Sequence, residues 1–320
     1  TKINRLMSGM RLRKILQDQK PADVYFSVDP DSAKIANFYA RKFGKKSVFD
    51  IHEIFHKDML LLHNINKHLI PILGTFIKRQ IRSVCKEASL VIGVGNTRLA
   101  PYLNVIPRSL VVRHCVPKEF VKNIQAKPLI DPTRGVLIMQ GKVSKQQGTL
   151  KLLMAARMVS QRTGINVKIV LFKIFAKDLP VDEFSDYIKS NQLQENLILL
   201  EPVEFNSVFP ILAKCDIGAI SYQEKMGKEC MPNRVFEYIA VGLPAIVPTY
   251  AVEMRNIIET YKCGICVNME DVLDIAEKIS ELILNPDKTR TMAMNSKNAY
   301  LDGCNWEEES RNLIEWIKEA

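Results

Sequence analysis

The sequence predicts an α/β protein of two domains, each built on a parallel sheet covered by helices. Three observations carry this expectation. Short β-rich runs alternate with longer helical patterns along the chain, the order that parallel strands joined by helical crossovers require. The chain is 320 residues long, a length that favours two cores over one. Between two periodic regions, residues 124–134 contain the steps Lys127-Pro128 and Asp131-Pro132, which mark a boundary.

Taken in order, strands are predicted at 23–28, 47–50, 90–93 and 110–112, short runs rich in Val, Ile, Leu and Phe, with helices over 32–43 and 69–87 between them. Beyond the boundary, strands at 135–140, 167–172, 197–200, 217–220 and 245–248 alternate with helices over 148–162, 206–213, 234–241, 254–260 and 271–284. The domains are thus placed at 1–133 and 134–304. Residues 305–320 repeat apolar side chains at Trp306, Leu313, Trp316 and Ile317 after an acidic first turn, the pattern of an amphipathic helix packed on the body. Residues 1–20 read as a basic helical stretch joining a domain already under way, so either the natural N-terminus lies upstream of Thr1 or the first domain is a reduced one.

With 47% hydrophobic and 25% charged residues, the chain can bury an ordinary core. No run approaches the ~18 consecutive apolar residues of a membrane span, and no signal peptide opens the chain. Seven cysteines, an odd number, suit a reducing compartment, so a cytoplasmic protein is expected. Residues 1–133 hold 23 Lys and Arg against 10 Asp and Glu, whereas the remainder holds 22 against 25. That first half either attracts phosphates or an anionic membrane surface, or is a solvated coat of long side chains. Nucleic acid is not expected, because the basic residues are not interleaved with aromatics in a recognisable binding module.

The most informative stretch is MPNRVFEYIAVGLPAIVP, residues 231–248: a loop, a helix, a Gly-Leu-Pro turn and a buried strand. Backbone N–H groups around Asn233, Arg234 and Val235 are placed to meet a diphosphate, with Arg234 adding charge. One turn on, the Glu237 carboxylate suits the two hydroxyls of a ribose. A second segment, GVLIMQGKVSKQQGTL at 135–150, reads as a strand, Gly141, a polar loop with Lys142 and Lys145, and Gly148 opening a helix. This has the form of a phosphate cradle; the alternative is a solvated loop, and there is no Walker A pattern.

These two segments resemble glycosyltransferase family 4, the group 1 glycosyltransferases of the GT-B fold, whose motif runs Pro-Asn-Lys-x-Phe-Glu-Tyr and then Ala-x-Gly-Leu-Pro. The family's paired glutamates match Glu229 and Glu237, with CMPNRVF between them. The resemblance implies that Glu237 holds the nucleotide ribose and that Glu229 approaches hydroxyls of the donor sugar; the alternative for Glu229 is a surface side chain. Arg234 replaces the motif's lysine, which keeps the charge and changes donor geometry. Lys142 matches the first member of the family's basic pair, but Gln147 stands at the second, leaving Lys145 to compensate. The stretch 198–222 follows the order of the family's base-binding segment, which places Val203 near the base, while VLFKIFAKD at 170–178 lacks the glycines usual there. In SVFDIHEIFHKDM at 47–59, His52 and Glu53 follow an apolar strand; the resemblance makes His52 a partner of the donor sugar or of the acceptor hydroxyl. His56 and His114 have weaker cases, and VVRHCVPKEF at 111–120 matches the segment that crosses between the family's domains.

Three motifs are set aside. Asp29-Pro-Asp31 imitates a metal clamp but precedes a helix it can cap. Cys263-Gly-Ile-Cys266 has no partner pair, so no metal site is expected. Gly93-Val-Gly95 lacks the third glycine of a dinucleotide loop.

The resemblance therefore implies two Rossmann-like domains facing across a cleft, with the C-terminal helix crossing back to the first. The implied reaction is a retaining, metal-independent, hexosyltransferase-like transfer without a cofactor. A nucleoside diphosphate sugar is the donor, and the acceptor is a hydroxyl of a glycan or lipid-linked glycan. The family's opening strand and glycine-rich loop have no counterpart before Asp23. That gap and Gln147 keep a second reading open, a non-catalytic nucleotide-sugar-binding regulatory or scaffold subunit. The third is a sugar-nucleotide epimerase.

Overall fold

The computed structural model describes residues 11–52, 70–124 and 135–319. The chain divides into two compact units, Thr1–Arg113 with Ser310–Ala320, and His114–Glu309.

In the first unit, β1 (Val24–Ser27), β2 (Lys46–Ile51), β3 (Leu90–Gly93) and β4 (Ser109–Val111) form a parallel sheet in that order. Successive side chains of a strand point to opposite faces, and Val48 and Phe49 of β2 are both fully buried, so both faces of the sheet are covered. Phe49, Ile51 and Val91 pack with Ala33 of helix Pro30–Phe43 and with Ile81, Val84 and Cys85 of helix Ile70–Glu87. On the other face Val48, Leu90 and Ile92 meet Leu313 and Trp316 of helix Arg311–Lys318. Asp29 occupies the N-cap of helix Pro30–Phe43, its N–H donating to Ser32 Oγ at 3.3 Å, and Pro30 opens the helix. Capping is thus the observed job of the Asp29-Pro-Asp31 motif.

In the second unit, β5 (Val136–Val143), β6 (Val167–Phe175), β7 (Leu197–Leu200), β8 (Ile217–Ala219), β9 (Ala245–Pro248) and β10 (Gly264–Val267) form a parallel sheet ordered β10-β9-β8-β5-β6-β7. This is the Rossmann order, and it reverses between β5 and β8. A crevice is expected beyond the carboxyl ends of those two strands. Val136, Ile138, Ile169 and Ile217 pack toward helices Thr149–Thr163 and Val272–Leu284; Met139, Val170, Ala245 and Val247 pack toward helices Phe205–Leu212, Arg234–Val241 and Pro286–Asp302.

Helices Val181–Ser190 and Pro286–Asp302 stand where the sequence reading placed no element, and three further features differ from it. β5 runs three residues past the expected end, through Gly141 and Lys142, with register shifts at Met139/Gly141 and Lys142/Val143. Gly141 therefore sits inside a bulged strand and does not open the loop. Residues 114–124 cluster with the second unit: Val116 bridges Asn305, Tyr300 donates its hydroxyl to Val116 O at 3.0 Å, and Phe120 stacks on Phe209 at 6.0 Å. The proline steps that suggested the boundary lie outside the described residues. Finally, the single helix expected over 305–320 is two, Trp306–Glu309 and Arg311–Lys318, separated by the buried Ser310, and only the second belongs to the first unit.

One side chain ties the switch point together. Tyr238 is fully buried; its hydroxyl donates to Met139 O on β5 at 2.8 Å and lies 3.3 Å from Ala219 O on β8. A Cβ on Gly218 would overlap the Tyr238 ring, so glycine is what lets the ring reach both strands. Tyr238→Phe leaves a buried carbonyl without its donor, and a loss of about 1–3 kcal/mol is expected in urea unfolding at unchanged slope.

Candidate functional site

The site is built where the helix after β8 begins above the end of β5. Gly141 has φ +115°, and a Cβ built there would overlap the Arg234 guanidinium. Glycine is required at this position both for its backbone and for the close approach. Arg234 uses that space to donate from Nη1 to Gln140 O, a carbonyl that the bulge takes out of regular register. Three residues along the same helix, Glu237 Oε2 lies 4.0 Å from Arg234 Nε. Only 13% of the Glu237 side chain is exposed, and this burial raises its pKa above the ordinary glutamate value while Arg234 opposes the rise. Burial also pushes Tyr222, beside them, up to about 12.

The loop after β5 is not an open phosphate cradle. The Gln146 N–H donates to Asp178 Oδ2 at 2.8 Å, Gln147 N–H to Ser144 Oγ at 3.2 Å, Gly148 N–H to Lys145 O at 2.8 Å and Thr149 N–H to Ser144 O at 3.2 Å. An anion arriving there would have to displace protein acceptors, and Asp178 already supplies negative charge. Gln147 is 6% exposed, and its backbone carbonyl accepts from Gln140 Nε2 at 2.7 Å and Ser221 Oγ at 2.6 Å, a seam between the loops after β5 and β8. Lys145 pairs with Glu183 on the surface. Such an exposed pair contributes at most about 1 kcal/mol. Lys142 remains half-buried at the end of β5.

At the helix start, Asn233 Oδ1 lies 2.8 Å from His114 Nδ1. Asn233 and Glu237 share a cavity of about 230 Å³ with His114, Pro117, Phe205 and Trp306. The structure thus brings together Gly141, Arg234, Asn233 and Glu237, all singled out from the sequence. Val203 is exposed on the loop between β7 and helix Phe205–Leu212, and Glu229 is exposed between helices Glu224–Gly227 and Arg234–Val241. His52 stands in the first unit at the end of β2, its Nε2 2.7 Å from Asp50 Oδ2. Glu53 and His56 lie outside the described residues.

Sequence reasoning passed over Phe205 and Trp306 and ranked His114 low. Their signal was weak because they come from three separate segments and meet only in the fold. The Cys263 and Cys266 thiols are pushed up to about 12 and about 11, chiefly by burial, which makes them poor nucleophiles. Among the described residues, no group of three or more His, Cys, Asp or Glu side chains could hold a metal ion, and no helix is long and apolar enough to cross a membrane.

Residues 120–299 match the sequence profile of the family described as glycosyl transferases group 1. The fold is similar to that of Anabaena HepE solved in complex with UDP, at 13% identity over 99% of this chain and 82% of that one, with a TM-score of 0.72. Sucrose-phosphate synthase from Thermosynechococcus elongatus aligns at 12% identity over 96% and 75%, with a TM-score of 0.69. A glycosyltransferase from Rickettsia africae aligns at 15% identity over 100% and 82%, also with a TM-score of 0.69. Among curated protein sequences, none matches this chain.

The raised pKa of Glu237 has a definite sign for stability. A carboxyl whose folded value lies above its unfolded value stabilises the fold most when protonated, and that contribution is lost as pH rises through the folded value. Glu237→Gln stays neutral throughout. Urea unfolding without nucleotide is therefore expected to show the variant gaining on wild type as pH rises from the ordinary glutamate value, about 4.3, toward neutrality. A constant difference across that range is the opposing result.

Proposed function

The chain belongs to the group 1 glycosyl transferases, and from that premise we propose that it transfers a sugar from a nucleoside diphosphate sugar to a hydroxyl of a glycan or lipid-linked glycan. The observation that carries this reading is Arg234 held over Gly141 beside the buried Glu237. In the reaction the bond between the anomeric carbon and the diphosphate oxygen breaks, a bond to the acceptor oxygen forms, and the acceptor proton goes to the leaving diphosphate. Negative charge grows on that diphosphate in the transition state. Arg234, Lys142 and the first-turn N–H groups supply preorganised positive charge and donors, while Glu237 accepts from the ribose hydroxyls. Transfer with retention, as in glycosyltransferase family 4, without a required metal, is part of the proposal. So are Glu229 as a partner of donor-sugar hydroxyls, Val203 near the base and His52 as a partner of the donor sugar or acceptor hydroxyl. HepE, similar in fold and solved in complex with UDP, supports uridine nucleotides as first candidates.

The filled loop and the neutral, buried Gln147 favour one rival, a subunit that binds nucleotide sugar without turning it over. Donor binding without transfer or hydrolysis across a broad acceptor panel would establish it. The charge excess of residues 1–133 supports an acceptor at an anionic membrane surface. Helix Ile70–Glu87 adds to this, exposing Ile72 and Phe76 near Lys78 and Arg79.

Two outcomes are expected. One of UDP, GDP, ADP and dTDP raises the melting temperature, and Glu237→Ala weakens that nucleotide roughly ten- to a hundredfold, the worth of charge-assisted hydrogen bonds. No response to any of the four removes the donor-site assignment. In vesicle co-sedimentation, anionic lipid captures more protein than neutral lipid, and Lys78→Glu with Arg79→Glu abolishes the difference; equal capture by both lipids removes the membrane reading.

A further inference from the structure

The contact between His114 and Asn233 has a job that packing does not explain. His114 is half-buried and Asn233 exposed, so the pair is not a core element. Nor does Asn233 serve its own helix: its backbone is already helical, at φ −54° and ψ −28°, and its side chain makes no cap bond. With Asn233 Oδ1 facing Nδ1 at 2.8 Å, the imidazole must carry its proton on Nδ1 and donate it, because a carbonyl oxygen only accepts. The amino group is then the remaining donor of the Asn233 carboxamide, on a cavity wall shared with Glu237. With a carboxylate beside an amide N–H, the carboxylate accepts from one hydroxyl and the N–H donates to the next, the pattern that reads a vicinal diol. Trp306 and Phe205 give the same cavity aromatic surface against which a ring can lie.

We propose that His114 is a positioning residue for the donor nucleotide: it locks the Asn233 carboxamide so that its amino group and the Glu237 carboxylate together receive the ribose. The assignment rests on the donor-site reading of Glu237. His114 comes from the segment 111–120, remote in sequence from the motif that contains Asn233, and the pair joins that segment to the start of the helix bearing Arg234 and Glu237. Orientation of an amide by a fixed donor removes rotamers that would otherwise have to be frozen on binding.

The test is a double-variant cycle read by calorimetry, using whichever of UDP, GDP, ADP and dTDP stabilises the wild type. His114→Ala and Asn233→Ala are each expected to weaken binding roughly tenfold, the loss of about one hydrogen bond. In the Asn233→Ala background, His114→Ala is expected to cost nothing further, because its effect runs through Asn233. His114→Asn, whose amide N–H takes the place of Nδ1–H, restores most of the affinity, and the nucleotide-free melting temperatures of all variants stay at the wild-type value. Wild-type affinity in His114→Ala overturns the positioning role. So does an equal loss in both backgrounds, failure of His114→Asn to rescue, or a fall in melting temperature that tracks the loss of affinity. In each of those cases the Glu237 assignment stands, whereas a wild type that binds none of the four nucleotides overturns both.

Discussion

The second unit depends on keeping the helix Arg234–Val241 fixed above the ends of β5 and β8, and the Tyr238 hydroxyl bond to Met139 O is the interaction that does so. Burial raises the Tyr238 pKa well above the ordinary tyrosine value, so the hydroxyl stays a donor at any ordinary pH. One turn before Tyr238, Arg234 reaches back over Gly141 to Gln140 O, and the helix is thereby held to one strand end by two side chains. Glu237 lies between those anchors in sequence, and its carboxylate inherits their rigidity. A carboxylate fixed in this way would lose little freedom on meeting a ligand.

Electrostatically the site is lopsided. The loop after β5 turns its N–H groups inward to Ser144, Lys145 and Asp178, and Lys145 pairs with Glu183. Arg234 at the start of its helix and Lys142 at the end of β5 are the cations beside Gly141. Arg234 is a planar donor fork with several N–H groups, so one guanidinium can satisfy both a backbone carbonyl and a bound anion. The cost appears on Glu237, whose carboxylate is desolvated beside a cation already committed to Gln140 O. Such desolvation at a binding site is tolerable when the ligand brings hydroxyl donors to the carboxylate.

The alternation of β-rich and helical runs made the α/β class and the parallel sheets legible in the sequence, because side-chain periodicity and crossover length are local properties. The Gly242 turn was legible for the same reason: its left-handed φ of +73° ends the helix after Val241. Arg234, Asn233 and Glu237 were found because they lie within five residues of one another, so their shared location needs no tertiary information. The boundary was harder to place. Residues 114–124 carry no composition shift, and their allegiance to the second unit is decided by Tyr300, Asn305 and Phe209, roughly a hundred or more positions away.

By itself, then, the sequence determined the alternation of strands and helices, the glycine at 141, and the cluster of a cation and a carboxylate on one helical turn. Only the tertiary structure decided what the loop after β5 does with its N–H groups, since Asp178 reaches it from the end of the next strand. It also decided that His114, Phe205 and Trp306 share a cavity with Glu237. The physical reason is common to both: periodicity fixes which way a side chain points from its own element, but the partner it meets is set by which strands lie side by side.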